Sequence, residues 1–400
     1  MNSAYIINGV RTPIGSFGGS LASVRTDDLA AFVIKKLIEK NRSLNAAEIT
    51  DVIFGCANQA GEDNRNIARM ALLLAGLPVS VPGETVNRLC ASGLSACASA
   101  ARQIMVGDAD VMIAGGVENM TRGPWVISKT STAYGRDAQM YDSSFGWRFV
   151  NPKMKEMYGT DSMGETAENL TQLKPISRED QDAFAYRSQM KTAAAVARGR
   201  FAKEIIPVEI QNKKSTTLFE HDEFAKPDTT PEILAKLKPA FRKDGTVTAG
   251  NSSGLNDGAA ALLLASENGI KKFGLKPLAK ILSSAAVGVE PRIMGIGPVE
   301  ASNRALAKAN LQMVDMDIIE LNEAFAAQCL ACIRAWGLKD DDTRINPNGG
   351  AISLGHPLGM SGARILLSAA IELHEQQKCY ALVTMCVGVG QGFAVVIEKA

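Results

Sequence analysis

Residues 87–96, N-R-L-C-A-S-G-L-S-A, and residues 349–362, G-G-A-I-S-L-G-H-P-L-G-M-S-G, decide how the chain is read. Three residues after Cys90 stands Gly93 and five after it Ser95; the same offsets from His356 give Gly359 and Ser361. Each segment runs on into an Ala/Leu/Ile-rich helical stretch containing an arginine, Arg102 or Arg364, and then into an apolar strand. A shared loop–helix–strand order on top of the matching positions is the mark of an internal repeat. It predicts equivalent places for Cys90 and His356, each at the N-terminus of a central helix.

Working outward, short apolar runs at residues 5–7, 52–54 and 111–114 read as buried strands. A helix opens at Thr26 and Asp27, either of which can cap it, with Leu29, Ala30, Val33, Ile34, Leu37 and Ile38 on one face. Alternation of this kind implies an α/β protein with a mostly parallel sheet covered on both faces. Residues 119–246 are more polar and rich in proline, with a helix over 178–197, and read as a large insertion packed over the sheet. Strand character returns at 259–264, and a second alternating half follows from about residue 279. The chain therefore divides into residues 1–270, which include the insertion, and residues 271–400.

Composition narrows the class. Of 400 residues 46% are hydrophobic and 21% charged, enough apolar surface for a sizeable core, which excludes a disordered or fibrous chain. Lys plus Arg number 43 against 42 Asp plus Glu, for a net charge of +1, which argues against a general binder of nucleic acid or membrane surfaces. No apolar run approaches the roughly 20 residues that span a bilayer. Residues 1–9 carry no targeting pattern, so a cytoplasmic protein is expected. Seven cysteines suit free thiols in a reducing compartment. The 36 glycines are the unusual number, and suggest backbone approaching something closely in several loops.

The residues that can carry chemistry are few. A thiol at a helix N-terminus, as predicted for Cys90, meets unpaired amides and the positive end of the helix dipole, which favours thiolate. Of three histidines, His374 and His221 lie in polar or acidic runs and read as solvated. His356, held among glycines and a proline, is the candidate general base for a nucleophilic thiol. Cys386 opens C-V-G-V-G-Q-G after an apolar strand; a strand, not a helix, follows, so a dinucleotide loop is rejected and free amides of an oxyanion hole fit better. G-N-S-S-G at 250–254 lacks the helix that a hydrolase elbow needs. Cys329 and Cys332 share one helix face with no second cysteine pair, so core packing rather than a metal site is expected. Asn322, between a strand over 318–321 and the next helix, reads as an ordinary cap.

Together the motifs N-R-L-C-A-S-G at Asn87, N-E-A-F-A at Asn322, G-G-A-I-S-L-G-H-P-L-G at Gly349 and C-V-G-V-G-Q-G at Cys386 resemble those of the thiolases, the acetyl-CoA C-acyltransferases, in order and spacing over essentially the whole chain. The resemblance implies two similar halves stacked in five layers, α-β-α-β-α, an inserted loop domain that holds coenzyme A, and a homodimer or homotetramer. It implies coenzyme A as a substrate, with no tightly bound cofactor and no metal. By the same resemblance Cys90 is the nucleophile that takes the acyl group, and His356 its base. Cys386 is the acid/base that handles the acetyl-CoA enolate. Asn322 holds a water in one oxyanion hole, and the amides of Cys90 and Gly388 form the other. Ser253 contacts the pantetheine arm, Lys226 lies near the adenine, and Met163 and Phe325 line the coenzyme A and substrate channel.

Many acetoacetyl-CoA-type members carry histidine beside the methionine at 163; here Ser162 stands there. The stretches 55–78 and 145–154 are similar to the branch that acts on 3-oxoadipyl-CoA in aromatic-compound degradation. That resemblance implies thiolytic cleavage to succinyl-CoA and acetyl-CoA. A distal carboxylate would want a cation near the pocket, and Arg65 and Arg148 are the candidates. The alternatives are an acetoacetyl-CoA thiolase, or a 3-ketoacyl-CoA thiolase of fatty-acid β-oxidation. From other classes come a Cys–His thioesterase or amidase, which would leave Cys386 without a task, and a non-catalytic acyl-CoA binder, in which one or more of the four motifs should be lost.

Overall fold

A computed structural model describes residues 2–211 and 215–400; Met1 and part of the insertion, residues 212–214, lie outside the described residues. The first half contributes strands β1 (Ala4–Arg11), β2 (Asp51–Gly55), β3 (Gly83–Val86), β4 (Val111–Asn119) and β5 (Asn256–Ala265). The second contributes β6 (Ala279–Gly288), β7 (Ile318–Leu321), β8 (Tyr380–Val387) and β9 (Gln391–Lys399). In the first half the strand order is β3-β2-β4-β5-β1. The second runs β7-β8-β9-β6, and an isolated parallel bridge from Ile345 to Ile319 supplies the outermost position. Numbered within each half, both orders are 3-2-4-5-1, so the repeat inferred from two loops extends to the whole topology. The halves join edge to edge where Ala4–Ile6 of β1 pair antiparallel with Ala279–Ile281 of β6.

The sheets are mixed, not mostly parallel. β2 runs parallel to β3 and β4, and β7 to β8, but β4–β5, β5–β1, β8–β9 and β9–β6 are antiparallel. The pairing of β5 on β4 closes after the long insertion, and β8 turns directly back into β9. Neither can be read from local strand–helix alternation, which only says that strands are covered on both faces.

Side-chain alternation sorts the layers. On β4, Val111, Ile113 and Val117 face one core with Leu29, Val33 and Leu37 of α1 (Thr26–Lys40) and Ile67 and Ala71 of α2 (Ile67–Leu74). Met112 and Ala114 face the opposite way, toward α3 (Ser92–Val106). On β9, Phe393, Val395 and Ile397 point at that same central core, whereas Ala394 and Val396 meet a third core. The third core holds helices Gly297–Ala309 and Ala326–Ala335. With α3 and the helix Leu358–Glu375 packed on each other between the sheets, the five layers α-β-α-β-α follow.

Glycine is what lets the middle layer close. A Cβ at Gly93 would lie 2.4 Å from the carbonyl oxygen of Gly359, and one at Gly359 would lie 2.2 Å from that of Val117. Backbone touches backbone there, so no longer side chain fits. Much of the glycine expected to face a ligand therefore faces the protein's own main chain.

Two smaller expectations are corrected. The start of α1 is not capped by Thr26 or Asp27; its N-cap is Arg25, and the Thr26 amide donates to Glu62 Oε2 at 3.1 Å. His374 is half-buried, with Nε2 2.6 Å from the Leu278 carbonyl, while His221 is exposed as expected.

The insertion is fastened by a buried ionic cluster. Arg11, at the end of β1, pairs with Glu204 (2.8 Å) and Asp222 (2.7 Å), and Arg200 pairs with Glu372 (2.8 Å) and Glu204 (3.2 Å), all almost wholly buried. The insertion's longest helix, Arg178–Ala197, matches the expected bounds. It reaches the second half through Ser188, which donates to Glu323 Oε2 (2.7 Å), and Thr192, whose hydroxyl lies 2.6 Å from that of Ser353. Among the described residues no helix is long and apolar enough to cross a membrane.

Candidate active site

Helix Ser92–Val106 begins two residues after Cys90, and helix Leu358–Glu375 begins two residues after His356. The repeat thus brings both to corresponding helix N-termini. Cys90 and Gly388 line one cavity of about 420 Å³, together with Met163, Leu358, Glu118 and the loop 143–148. Two residues with positive φ also line it: Leu89 (φ 45°), just before Cys90, and Val389 (φ 62°), in the turn between β8 and β9. A β-branched residue in that region is a genuine outlier, of the kind that collects where a loop is held for function.

Burial pushes the Cys90 thiol above its ordinary range, opposed by the backbone amides of Gly388 and of Cys90 itself. The thiolate-favouring helix terminus expected from the sequence is therefore outweighed in the free enzyme. Burial, aided by the nearby positive charge of Arg364, lowers His356 to about 3. With the thiol high and the imidazole low, the resting pair is uncharged. Alkylation of Cys90 by iodoacetamide, followed by peptide mass spectrometry, should then fall about tenfold per pH unit below the thiol range. A rate plateau extending down to pH 5–6 would instead mean a preformed thiolate–imidazolium pair.

The tautomer of His356 follows from its partners. Ser361 donates its hydroxyl proton to the Pro357 carbonyl (2.8 Å), so its oxygen accepts from His356 Nδ1–H (2.7 Å). The lone pair is then on Nε2, which faces Asn322 Nδ2 at 3.4 Å. No hydrogen bond joins the ring to Cys90 among the described residues; such contacts often tighten only when substrate binds. The Oδ1 of Asn322 is buried without a protein partner. Asn322 is not the helix cap read from sequence, because Phe325 holds that place. What fixes its loop is Glu323, whose carboxylate accepts from Ser188, Asn346 (2.7 Å) and the Ile352 amide (3.2 Å).

Cys386, at the end of β8, is fully buried and packs with Phe325, Ala324 and Met163. Burial raises its thiol well above the ordinary value, with Cys90 and Cys332 adding to the shift. Met163 opens the helix Met163–Leu173, and Ser162 caps that helix by accepting from the Glu165 amide (3.4 Å). Phe325 meets Phe241 edge to face, 6.1 Å between ring centres. Ser253 Oγ and N–H both donate to the Ala324 carbonyl (3.1 and 3.0 Å), tying G-N-S-S-G to N-E-A-F-A. Lys226 is exposed in the insertion, with Nζ 5.5 Å over the Phe224 ring. Cys329 and Cys332 are buried core thiols, as read from their spacing. The two candidate cations separate: Arg148 lines the cavity, whereas Arg65 is exposed and outside it.

One residue of the site escaped sequence reading. Glu118, at the end of β4, accepts from the amides of Ala57 (2.9 Å), Asn58 (3.0 Å) and Gly359 (2.9 Å). It therefore ties the cavity wall to the helix that follows His356. Burial raises its carboxyl to about 7 despite these amides. Its sole signal in the sequence was an acid closing an otherwise apolar run, V-M-I-A-G-G-V-E. Cys56 and Asp63 lie beside it, with potential ligand atoms within 4.8 Å of one another, but the Glu118 oxygens are already engaged by those amides.

Comparison with known proteins identifies the family and the fold. The family model "Thiolase, N-terminal domain" matches residues 4–268, and "Thiolase, C-terminal domain" matches residues 275–399. Over 400 residues, all of both chains, the sequence is 58% identical to the 3-oxoadipyl-CoA/3-oxo-5,6-dehydrosuberyl-CoA thiolase of Escherichia coli (strain K12). It is 57% identical to a beta-ketoadipyl-CoA thiolase of Acinetobacter baylyi, again over the whole of both chains. The crystal structure of the Bacillus anthracis acetyl-CoA acetyltransferase superposes with a TM-score of 0.93 at 40% identity, covering 100% of this chain and 99% of that one.

Proposed function

The chain belongs to the thiolase family and is an acyltransferase, and on that premise we propose that it cleaves 3-oxoadipyl-CoA with coenzyme A to succinyl-CoA and acetyl-CoA. Cys90 Sγ attacks the C3 ketone as its proton passes to the lone pair of His356 Nε2. The amides of Cys90 and Gly388 receive the developing oxyanion. The C2–C3 bond then breaks, leaving the succinyl group on Cys90 and an acetyl-CoA enolate. Cys386 gives that enolate its proton at C2, a task suited to a thiol that burial keeps protonated. The enolate oxygen is met by His356 and by a water on Asn322, whose unpartnered Oδ1 is free to accept from it. The imidazolium proton of His356 then passes to the Cys386 thiolate, which restores both groups. In the second half-reaction His356 takes the proton of the coenzyme A thiol as that thiol attacks the thioester, and returns it to the departing Cys90 sulfur.

The observation that carries this reading is that one site holds two cysteines with different work available. Cys90 opens on the cavity beside the Gly388 amide, and the fully buried Cys386 lies near enough for charge on Cys90 to raise its thiol further. A Cys–His hydrolase has no use for the second. Ser253, Phe325, Met163 and Lys226 are assigned to the coenzyme A side, with coenzyme A as substrate and no tightly held cofactor. The enzyme works in the cytoplasm as a homodimer or homotetramer, without nucleic-acid or membrane partners. The choice of substrate is favoured by the full-length relatives that act on 3-oxoadipyl-CoA, and by Ser162 in the place of a pocket histidine. The test is thiolysis of 3-oxoadipyl-CoA against acetoacetyl-CoA. The expected kcat/KM is at least about tenfold higher for the dicarboxylic substrate, the scale of one charged hydrogen-bonded contact. Equal or better use of acetoacetyl-CoA rejects the substrate assignment and leaves the family untouched.

A further inference from the structure

We infer that Arg148 is the specificity-determining residue for the acyl half of the substrate, its guanidinium taking the distal carboxylate of an ω-carboxy 3-oxoacyl chain. The inference rests on the substrate reading above and deepens it. Glu118 and Arg148 are the two charged residues among those described as lining the cavity that holds Cys90. The carboxylate of Glu118 accepts from three backbone amides and from the Cys56 thiol, and no hydrogen bond or ion pair joins it to Arg148 among the described residues. Arg148 itself donates to two main-chain carbonyls, Nη1 to Ser143 (3.1 Å) and Nη2 to Asn58 (3.3 Å). No acidic side chain pairs with it among the described residues. A guanidinium has five N–H donors, so three remain, on a cation that nothing in the cavity wall neutralises.

The same three residues brace one another. Asn58 Nδ2 donates to both the carbonyl and the hydroxyl of Ser143 (3.1 Å each), so the anchors of Arg148 are themselves joined. A guanidinium held at two points by rigid acceptors is set in orientation before any ligand arrives, which lowers the cost of ordering it on binding. Its place in the cavity that also holds Cys90 matters for the chemistry. When the C2–C3 bond breaks, the distal carboxylate stays with the fragment bound to Cys90 and never with acetyl-CoA. Arg148 would therefore hold the acyl half equally before, during and after cleavage. Uniform binding of this kind acts on KM and leaves kcat nearly unchanged.

The experiment compares thiolysis of 3-oxoadipyl-CoA with that of 3-oxohexanoyl-CoA, a straight chain of equal length without the carboxylate, in the wild type, Arg148→Gln and Arg148→Lys. Arg148→Gln is expected to lower kcat/KM for 3-oxoadipyl-CoA about tenfold to a hundredfold, mainly through KM. Its kcat/KM for 3-oxohexanoyl-CoA should stay within about threefold of wild type, and Arg148→Lys should recover part of the loss as a point charge without the planar fork. Equal losses on both substrates would make Arg148 a loop clip for Ser143 and Asn58 and overturn the inference, as would an unchanged KM for 3-oxoadipyl-CoA. The substrate reading is judged separately by the wild type. A wild type that prefers the dicarboxylic chain, with a Gln variant showing no selective loss, sinks Arg148 alone; a wild type indifferent between the chains sinks the substrate reading.

Discussion

Replacing Cys386 with serine is expected to separate the two halves of the chemistry. Exchange of labelled coenzyme A into succinyl-CoA needs only Cys90, its base and one oxyanion site, because a thioester carbonyl is attacked and no carbon–carbon bond is touched. That exchange should stay within about threefold of wild type, a small change on the scale of proton-transfer effects. Thiolysis of a 3-oxoacyl-CoA passes through an enolate whose protonation falls to Cys386. A serine hydroxyl is a much weaker acid than a thiol, so thiolysis should drop by roughly 10²–10⁴-fold. Retained exchange is also the control for folding, since Cys386 is fully buried among Phe325, Ala324 and Met294. Thiolysis within about tenfold of wild type would remove Cys386 from the mechanism.

The largest effect on stability is expected at Arg11. Its guanidinium is fully buried between Glu204 and Asp222, and the two carboxylates raise its proton affinity against the opposing cost of burial. Arg11→Met leaves Asp222 without its arginine partner and Glu204 with Arg200 alone. Breaking a buried pair in this way costs about 3–5 kcal/mol, far more than an exposed pair. Urea unfolding followed by circular dichroism should show the loss as a clear fall in midpoint. Adding Asp222→Asn should restore part of it, because the penalty lies in the stranded charge rather than in the lost attraction. A midpoint unchanged by Arg11→Met would mean that water reaches the cluster and screens it.

The sequence discloses those parts of the fold that repeat locally. The apolar face of α1, the bounds of helix Arg178–Ala197 and the strand Ile318–Leu321 follow from periodicity and match the structure. Strand direction does not follow from periodicity. That β5 lies antiparallel on β4 is decided by pairings such as Leu264 with Met112, which no window of sequence contains. The site divides the same way. Cys90, His356 and Cys386 stand out as candidates because each sits in a stretch of unusual local composition, whereas Asn322 reads locally as a cap and gains a role only through the family resemblance. Glu118 was not, since its meaning lies in amides from residues 57, 58 and 359 that converge on it only in the fold. Arg65 and Arg148 were equivalent as letters, and only the cavity separates them. The low proton affinity of His356 was hidden for the same reason, being set by burial and by Arg364.

The identical 3-2-4-5-1 order of the two halves carries a consequence for how many sites one chain can have. Two identical units packed helix against helix would present the same residue twice, two thiols or two imidazoles, and neither couple makes a nucleophile with its base. Cys90 and His356 occupy the corresponding corners, so the two halves share a topology and place different residues at a pair of positions where sameness would be sterile. On the mechanism proposed above, a fragment ending after β5 would hold Cys90 without His356, and the complementary fragment His356 without Cys90.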